Sequence, residues 1–290
     1  MSTATPPLVG KVLGLDAAAY HAHPAVNASL LKELQRSPLH AWARYIDPNR
    51  KPLEPTPAMT FGTACHAAIL EPEVFAATYL VAPEGINRRT NEGKEQWAAF
   101  EAQAEGCIVL KAEEHAAVLA VRDAVMAHGL AGTWLTTGEA EASWFAESTD
   151  HPGLWLRGRT DRTTMVGDGA LLVADVKTTQ DATAHAFTRE IYQRGYHLQA
   201  AFYADLLALC GHPVEHFAFV AVEKAHPYAV GVYHLDPEDL EVGRQAYKRL
   251  LALYVRCKAA DHWPGPSPES IRAAAPRWAV DAAYREEDAQ

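Results

Sequence analysis

The spacing of apolar residues divides the chain near residue 139. Upstream, helical signals dominate. Asn27 or Ser29 can cap a short helix through Leu34, because a small polar side chain takes up the free amides of a first helical turn. Ser37-Pro38 offers a second start, for a helix carrying Trp42 and Tyr45. The proline-rich run at 52–57 then breaks the chain, and 61–70 reads as a helix ended by Glu71-Pro72. A polar loop with Arg88, Arg89 and Lys94 leads to an alanine-rich helix over about 112–127. Downstream, Ala140, Ala142 and Trp144 alternate with Glu139, Glu141 and Ser143 at the two-residue period of a strand. Residues 154–166 and 171–178 predict two more strands, joined through Gly167-Asp168-Gly169 as a hairpin. A helix over about 196–209, strands over 217–223 and 229–235, and a long helix over about 237–258 complete the pattern.

Composition narrows this reading without redirecting it. With 290 residues, 49% hydrophobic and 21% charged, the chain can bury one sizeable core. We expect one domain over 15–280, between a flexible arm at 1–14 and a frayed tail at 281–290. No apolar run approaches the roughly 20 residues that span a bilayer. The first ten residues lack the basic start and apolar middle of a secretory leader, so a cytoplasmic protein with no membrane partner is expected. The four cysteines are scattered and form no CxxC pair, which argues against zinc or an iron-sulfur cluster. A net charge of -10 requires any nucleic-acid contact to use basic residues gathered locally.

The hairpin carries the chemistry. If it turns symmetrically about Asp168, Asp161 falls opposite Asp175, with Cβ atoms about 4.5 to 5.5 Å apart. Two ionised carboxylates at that separation repel unless a cation or a raised pKa relieves them. Lys177 follows on the same face, while Val176 points into the core. Acid, acid and amine at the end of a buried strand suit metal-assisted phosphodiester hydrolysis; a surface ion cluster is the alternative. Either Glu141 or Glu139 can extend the site, and His66 can offer a ring nitrogen. Gln199 and Tyr203, four apart on a helix, share a face and can hold nucleic acid or brace the lysine. Arg157 and Arg159 share the parity of Asp161 and, with Arg88 and Arg89, are candidates for phosphate contacts, whereas Arg162 should point away.

Four short motifs occur in order: Gly62-Thr63-Ala64-Cys65-His66, Gly158-Arg159-Thr160-Asp161, Asp175-Val176-Lys177-Thr178-Thr179 and Gln199-Ala200-Ala201-Phe202-Tyr203. Ser29-Leu30-Leu31 with Ser37-Pro38, and Arg88-Arg89-Thr90 with Gly93-Lys94, extend the pattern. Over roughly residues 18–255 the chain resembles the RecE-like (exonuclease VIII type) phage exonucleases of the PD-(D/E)XK nuclease superfamily. Thr160 stands where the superfamily name would put a proline.

The resemblance implies an α/β (α+β) fold with a central mixed sheet flanked by helices. It implies a Mg2+ ion, for which Mn2+ can substitute, held by His66, Asp161, Asp175 and the Val176 carbonyl. Lys177 would activate water, Glu141 would be the supporting acid, and Gln199 and Tyr203 would form the glutamine-tyrosine helix motif. It further implies 5′ to 3′ digestion of linear double-stranded DNA from its ends, leaving 3′ overhangs for a single-strand annealing recombinase. A ring-shaped homo-oligomer, trimer or tetramer, is implied too. Related nucleases with an iron-sulfur cluster carry clustered cysteines that this chain lacks. The competing reading is a catalytically inert, nuclease-like protein that binds DNA ends.

Overall fold

In the computed structural model, which describes residues 8–51, 54–167, 169–267, 269–277 and 281, helices cover both faces of one mixed sheet. In chain order the elements are β1 (Gly10–Val12), α1 (Ala17–Ala22), α2 (Ala28–Arg36), α3 (Pro38–Ala41), a π turn (Trp42–Ile46), α4 (Pro57–Leu70), α5 (Pro72–Thr78), β2 (Tyr79–Val81), α6 (Asn91–Gln103), β3 (Ile108–Leu110), α7 (Ala112–Ala127), α8 (Gly129–Thr136), β4 (Glu139–Glu147), β5 (Trp155–Val166), β6 (Ala170–Thr179), α9 (Ala184–Gln193), α10 (Tyr196–Leu209), β7 (His216–Glu223), β8 (Val230–Leu235) and α11 (Pro237–Ala260).

Among the described residues the main sheet runs β1-β4-β5-β6-β7-β8. Every neighbouring pair is antiparallel except β6 and β7, whose crossover contains α9 and α10, as a parallel connection requires. Both faces are buried, so β6 alternates between two apolar cores rather than between core and water. Leu172, Ala174 and Val176 pack with Ile69, Val121 and Leu135 under α4, α7 and α8. Val173 packs with Leu31, Phe187, Phe202 and Phe219 under α2, α9, α10 and α11. The odd-numbered face of β6 therefore leaves an apolar core and reaches Asp175 and Lys177 near the strand's end.

Caps written in the sequence set the helix starts. The Asn27 side chain accepts the Leu30 amide and opens α2, and Ser37 accepts the His40 amide and opens α3. Thr56 caps α4 with Pro57 in its first turn, so this helix begins four residues before the expected position 61. The arm expected at 1–14 is partly structured, since Gly10–Val12 adds to the sheet edge against β4. Residues 1–7, Pro52, Leu53, Asp168 and the tail at 282–290 lie outside the described residues.

The hairpin register matches the symmetric expectation. Arg162 faces Ala174, Thr163 faces Val173 and so on to Val166 and Ala170. Asp161 and Asp175 occupy the next position outward.

Candidate active site

The Asp161 carboxylate turns toward β6 and accepts the Val176 amide at 2.7 Å. In an extended strand the carbonyl of a residue leaves toward the same neighbour as its amide. The Val176 carbonyl is therefore on the Asp161 side, while the Val176 side chain is fully buried in the core beneath α4.

Asp175 is completely buried. A lone carboxylate there would cost several kcal/mol, and the fold compensates it from two directions. Gln199 on α10 donates its Nε2 to Oδ1 at 3.0 Å, and the Lys177 ammonium lies against Oδ2 as an ion pair. Apart from that ammonium, Oδ2 has no aligned hydrogen bond. Lys177 also sits 4.8 Å from the centre of the Tyr196 ring.

Glu141 approaches Asp161 from β4. Ala140 pairs with Arg162 and Ala142 with Thr160, so Glu141 is the residue bracketed opposite Asp161. Its φ is +48°, a left-handed conformation rare in a strand and costly for a residue with a side chain. His66 comes from α4, its Nδ1 3.5 Å from Asp161 Oδ2. Ligating atoms of His66, Glu141 and Asp161 lie within 4.8 Å of one another, the one such grouping among the described residues. Glu139 instead extends outward to Lys11, 2.9 Å away. Of the two glutamates, Glu141 is therefore the one beside Asp161.

The family model described as "PDDEXK-like domain of unknown function (DUF3799)" matches residues 27–273, which include every one of these side chains except Lys11. The chain belongs to this family. A solved structure of an exonuclease candidate from Eubacterium rectale shares the fold, with a TM-score of 0.61 at 10% identity over 93% of this chain and 99% of that one. The structure of SSO0001 is 14% identical over 65% of this chain and 84% of its own, with a TM-score of 0.29. Among curated proteins, none matches the sequence.

The electrostatics of this PDDEXK-like centre are those of a site short of positive charge. Burial, then Asp161, then Glu71 push the Glu141 carboxyl up to about 8. Burial also raises Asp175, with Lys177 opposing and Asp161 adding to the rise. Burial pulls Lys177 down, yet Asp175 and Asp161 outweigh it and hold the amine above its ordinary value. Carboxylates, one imidazole and a main-chain carbonyl form an oxygen-rich donor set of the kind hard divalent cations accept. The residues present therefore fit a hard divalent cation, and such an ion would offset the burial and mutual repulsion that push the Glu141 and Asp175 carboxyls up.

The arginines divide differently from the expectation. Arg157 is buried, with its guanidinium on the carbonyls of Ala25 at 3.1 Å and Tyr20 at 2.8 Å and stacked over the Tyr20 ring. Arg159 donates to Ser143 Oγ at 2.9 Å and to the Leu15 carbonyl at 2.7 Å, and stacks on the same ring. Both fasten the N-terminal segment to the sheet, so the expected phosphate contacts are corrected: parity placed these side chains on the right face, but the chain preceding α2 already covers it. Arg162 points the other way, to the Leu70 carbonyl at 3.2 Å. Arg88 and Arg89 are exposed before α6, with Arg88 laid over Trp97.

Tyr203 is buried, and burial followed by Tyr20 and Asp175 raises its hydroxyl well above the ordinary range. A Cβ on Gly158 would lie 2.9 Å from the Tyr203 ring, so the glycine of the Gly158-Arg159-Thr160-Asp161 motif lets α10 approach β5 closely. Two contributors escaped the sequence reading. Tyr196 lies three residues before Gln199 and so on the same helical face, a detectable signal. Lys32 donates to Gln199 Oε1 at 3.1 Å, and burial followed by Lys177 brings its pKa down to about 8. Its pattern gave no signal, because a lysine beside Leu30, Leu31 and Leu34 reads as the wet side of an amphipathic helix.

Proposed function

We propose that this PDDEXK-like nuclease is a metal-dependent exodeoxyribonuclease of the RecE-like type. On this reading it hydrolyses linear double-stranded DNA from 5′ to 3′ and leaves 3′ overhangs for a single-strand annealing recombinase. The observation that carries the hydrolytic part is the buried Asp175, held by Gln199 and Lys177 beside Asp161. The polarity, the overhang and the recombinase rest on the motif resemblance.

His66, Asp161, Asp175 and the Val176 carbonyl would hold Mg2+, or Mn2+ in its place, with Glu141 as the supporting acid. When bound, the cation supplies charge neutralisation at the phosphate and a lower pKa for water. Lys177 contributes the proton chemistry. While Asp161 and Asp175 carry uncompensated charge, its amine stays protonated. Once that charge is compensated, burial is no longer offset, and the amine can release its proton and orient the attacking water. Gln199 keeps Asp175 in place, and Tyr203 fixes the distance between α10 and β5. A ring-shaped homo-oligomer, trimer or tetramer, would reconcile a net charge of -10 with DNA binding, because only its channel need be basic.

The test is digestion of linear duplex labelled separately at its 5′ and 3′ ends, with Mg2+, Mn2+ or chelator. Early release of the 5′ label, abolished by chelator, is the expected result. Prior release of the 3′ label would reverse the polarity. Binding of DNA ends without cleavage under any metal would replace the nuclease reading with that of an inert end-binding protein.

A further inference from the structure

The geometry points to Lys32 as a positioning residue of this site: it holds the Gln199 amide in the orientation that binds Asp175 Oδ1, and so fixes the Asp175 carboxylate with its Oδ2 against Lys177. The inference rests on the metal-dependent reading above and extends it to α2, outside the four motifs.

Lys32 Nζ donates to Gln199 Oε1 at 3.1 Å, and Gln199 Nε2 donates to Asp175 Oδ1 at 3.0 Å. An ammonium has donors only, and a carboxylate has acceptors only. The amide between them is therefore satisfied in one orientation alone. Rotating it would set its NH2 against the ammonium and its oxygen against the carboxylate, so both ends oppose the flip. With Oδ1 occupied by the amide, Oδ2 is the oxygen left facing Lys177.

Lys32 is also held in place along its length. A Cβ on Gly195 would lie 3.3 Å from both Cγ and Cδ of the lysine, so the aliphatic stem runs tightly over this glycine, whose φ is +65°. The ammonium then lies 5.6 Å from the centre of the Tyr196 ring, which Lys177 also approaches. Glycine at 195 thus opens α10 and leaves the channel that the stem fills. A side chain placed to greet a DNA phosphate would reach into solvent; this one is threaded inward to an amide.

The experiment compares Lys32→Met, which keeps the stem and removes the donor, with Gln199→Met, the double variant and Lys32→Arg. Steady-state cleavage of linear duplex separates kcat from KM, and electron paramagnetic resonance of free Mn2+ gives metal affinity without DNA. Lys32→Met should lower kcat and Mn2+ affinity by roughly 10- to 100-fold, the range for partners that orient a metal ligand, with KM for DNA unchanged. Lys32→Arg should recover most of the loss, and the double variant should be no worse than Gln199→Met, since both act through one amide. A raised KM with unchanged kcat and Mn2+ affinity would overturn the inference in favour of a DNA contact, as would additive losses in the double variant. If the native protein binds Mn2+ but cuts no DNA, the nuclease reading falls, while Mn2+ affinity in Lys32→Met still decides the role of Lys32. Should Lys32→Met fail to fold, Lys32→Gln supplies the same comparison.

Discussion

Replacing Glu141 with glutamine should make the metal-free protein more stable at alkaline pH. Glu141 ionises near its ordinary 4.5 in the unfolded chain but only near about 8 in the fold, raised first by burial and then by Asp161 and Glu71. Between those values the folded state keeps a proton that the unfolded state has lost. Stability therefore falls as pH rises through the window, and the deficit is complete above about 8. At about 1.4 kcal/mol per unit, the deficit has a ceiling of about 4 kcal/mol at pH 8, about 2 at pH 6 and under about 1 at pH 5. It is a ceiling because the carboxylate can relax toward water on the His66 side, where that histidine side chain is 30% exposed. Glu141→Gln keeps the shape and cannot ionise, so the difference in urea-unfolding free energy between the two proteins isolates this group. In chelator, the variant should exceed the native protein by a few kcal/mol at pH 8 and converge with it at pH 5. Added Mn2+ should narrow the gap by stabilising the native protein preferentially. A variant no more stable than the native protein at pH 8, or a gap that does not shrink on acidification, refutes the reasoning.

Four further outcomes follow from the same geometry. Asp175→Ala and Lys177→Ala should each lower cleavage of linear duplex by at least about 100-fold while circular dichroism shows an intact fold; robust cleavage by both removes them from the chemistry. Arg157→Ala should lose about 2 to 4 kcal/mol of unfolding free energy, because it leaves the Tyr20 and Ala25 carbonyls buried without their donor. Arg88→Ala should leave stability within about 0.5 kcal/mol but reduce the salt slope of DNA binding by about 1, so filter binding at several ionic strengths separates the two arginines. Gly158→Ala should cost about 1 to 3 kcal/mol in thermal unfolding, since its methyl would meet Tyr203 at 2.9 Å and Leu206 at 3.0 Å.

Long periodic elements were legible from the chain. The expected helix at 112–127 and the hairpin register from which Asp161 and Asp175 follow appear in the structure because each depends on near-neighbour spacing. The family match and the shared exonuclease-candidate fold agree with the PD-(D/E)XK resemblance and its mixed sheet. Short elements were not legible. Helix α8 has eight residues with apolar and polar positions intermixed, and β2 and β3 have three each, too few to establish a period. Long-range burial was equally hidden. Strand parity says which face Arg157 occupies but not that the chain at 20–25 lies over it. Likewise, only the folded chain brings Lys32 to Gln199, 167 positions away.

Strand β1 has a practical consequence. Gly10–Val12 closes the outer border of β4, and Lys11 stands there with a charged head paired to Glu139. A recombinant version trimmed to residue 15 in the belief that the beginning is dispensable would strip that border and leave a row of β4 amides and carbonyls seeking a mate. Neighbouring molecules would supply one, so such a version should precipitate or self-associate, whereas a fusion joined ahead of residue 8 leaves the guard strand in place.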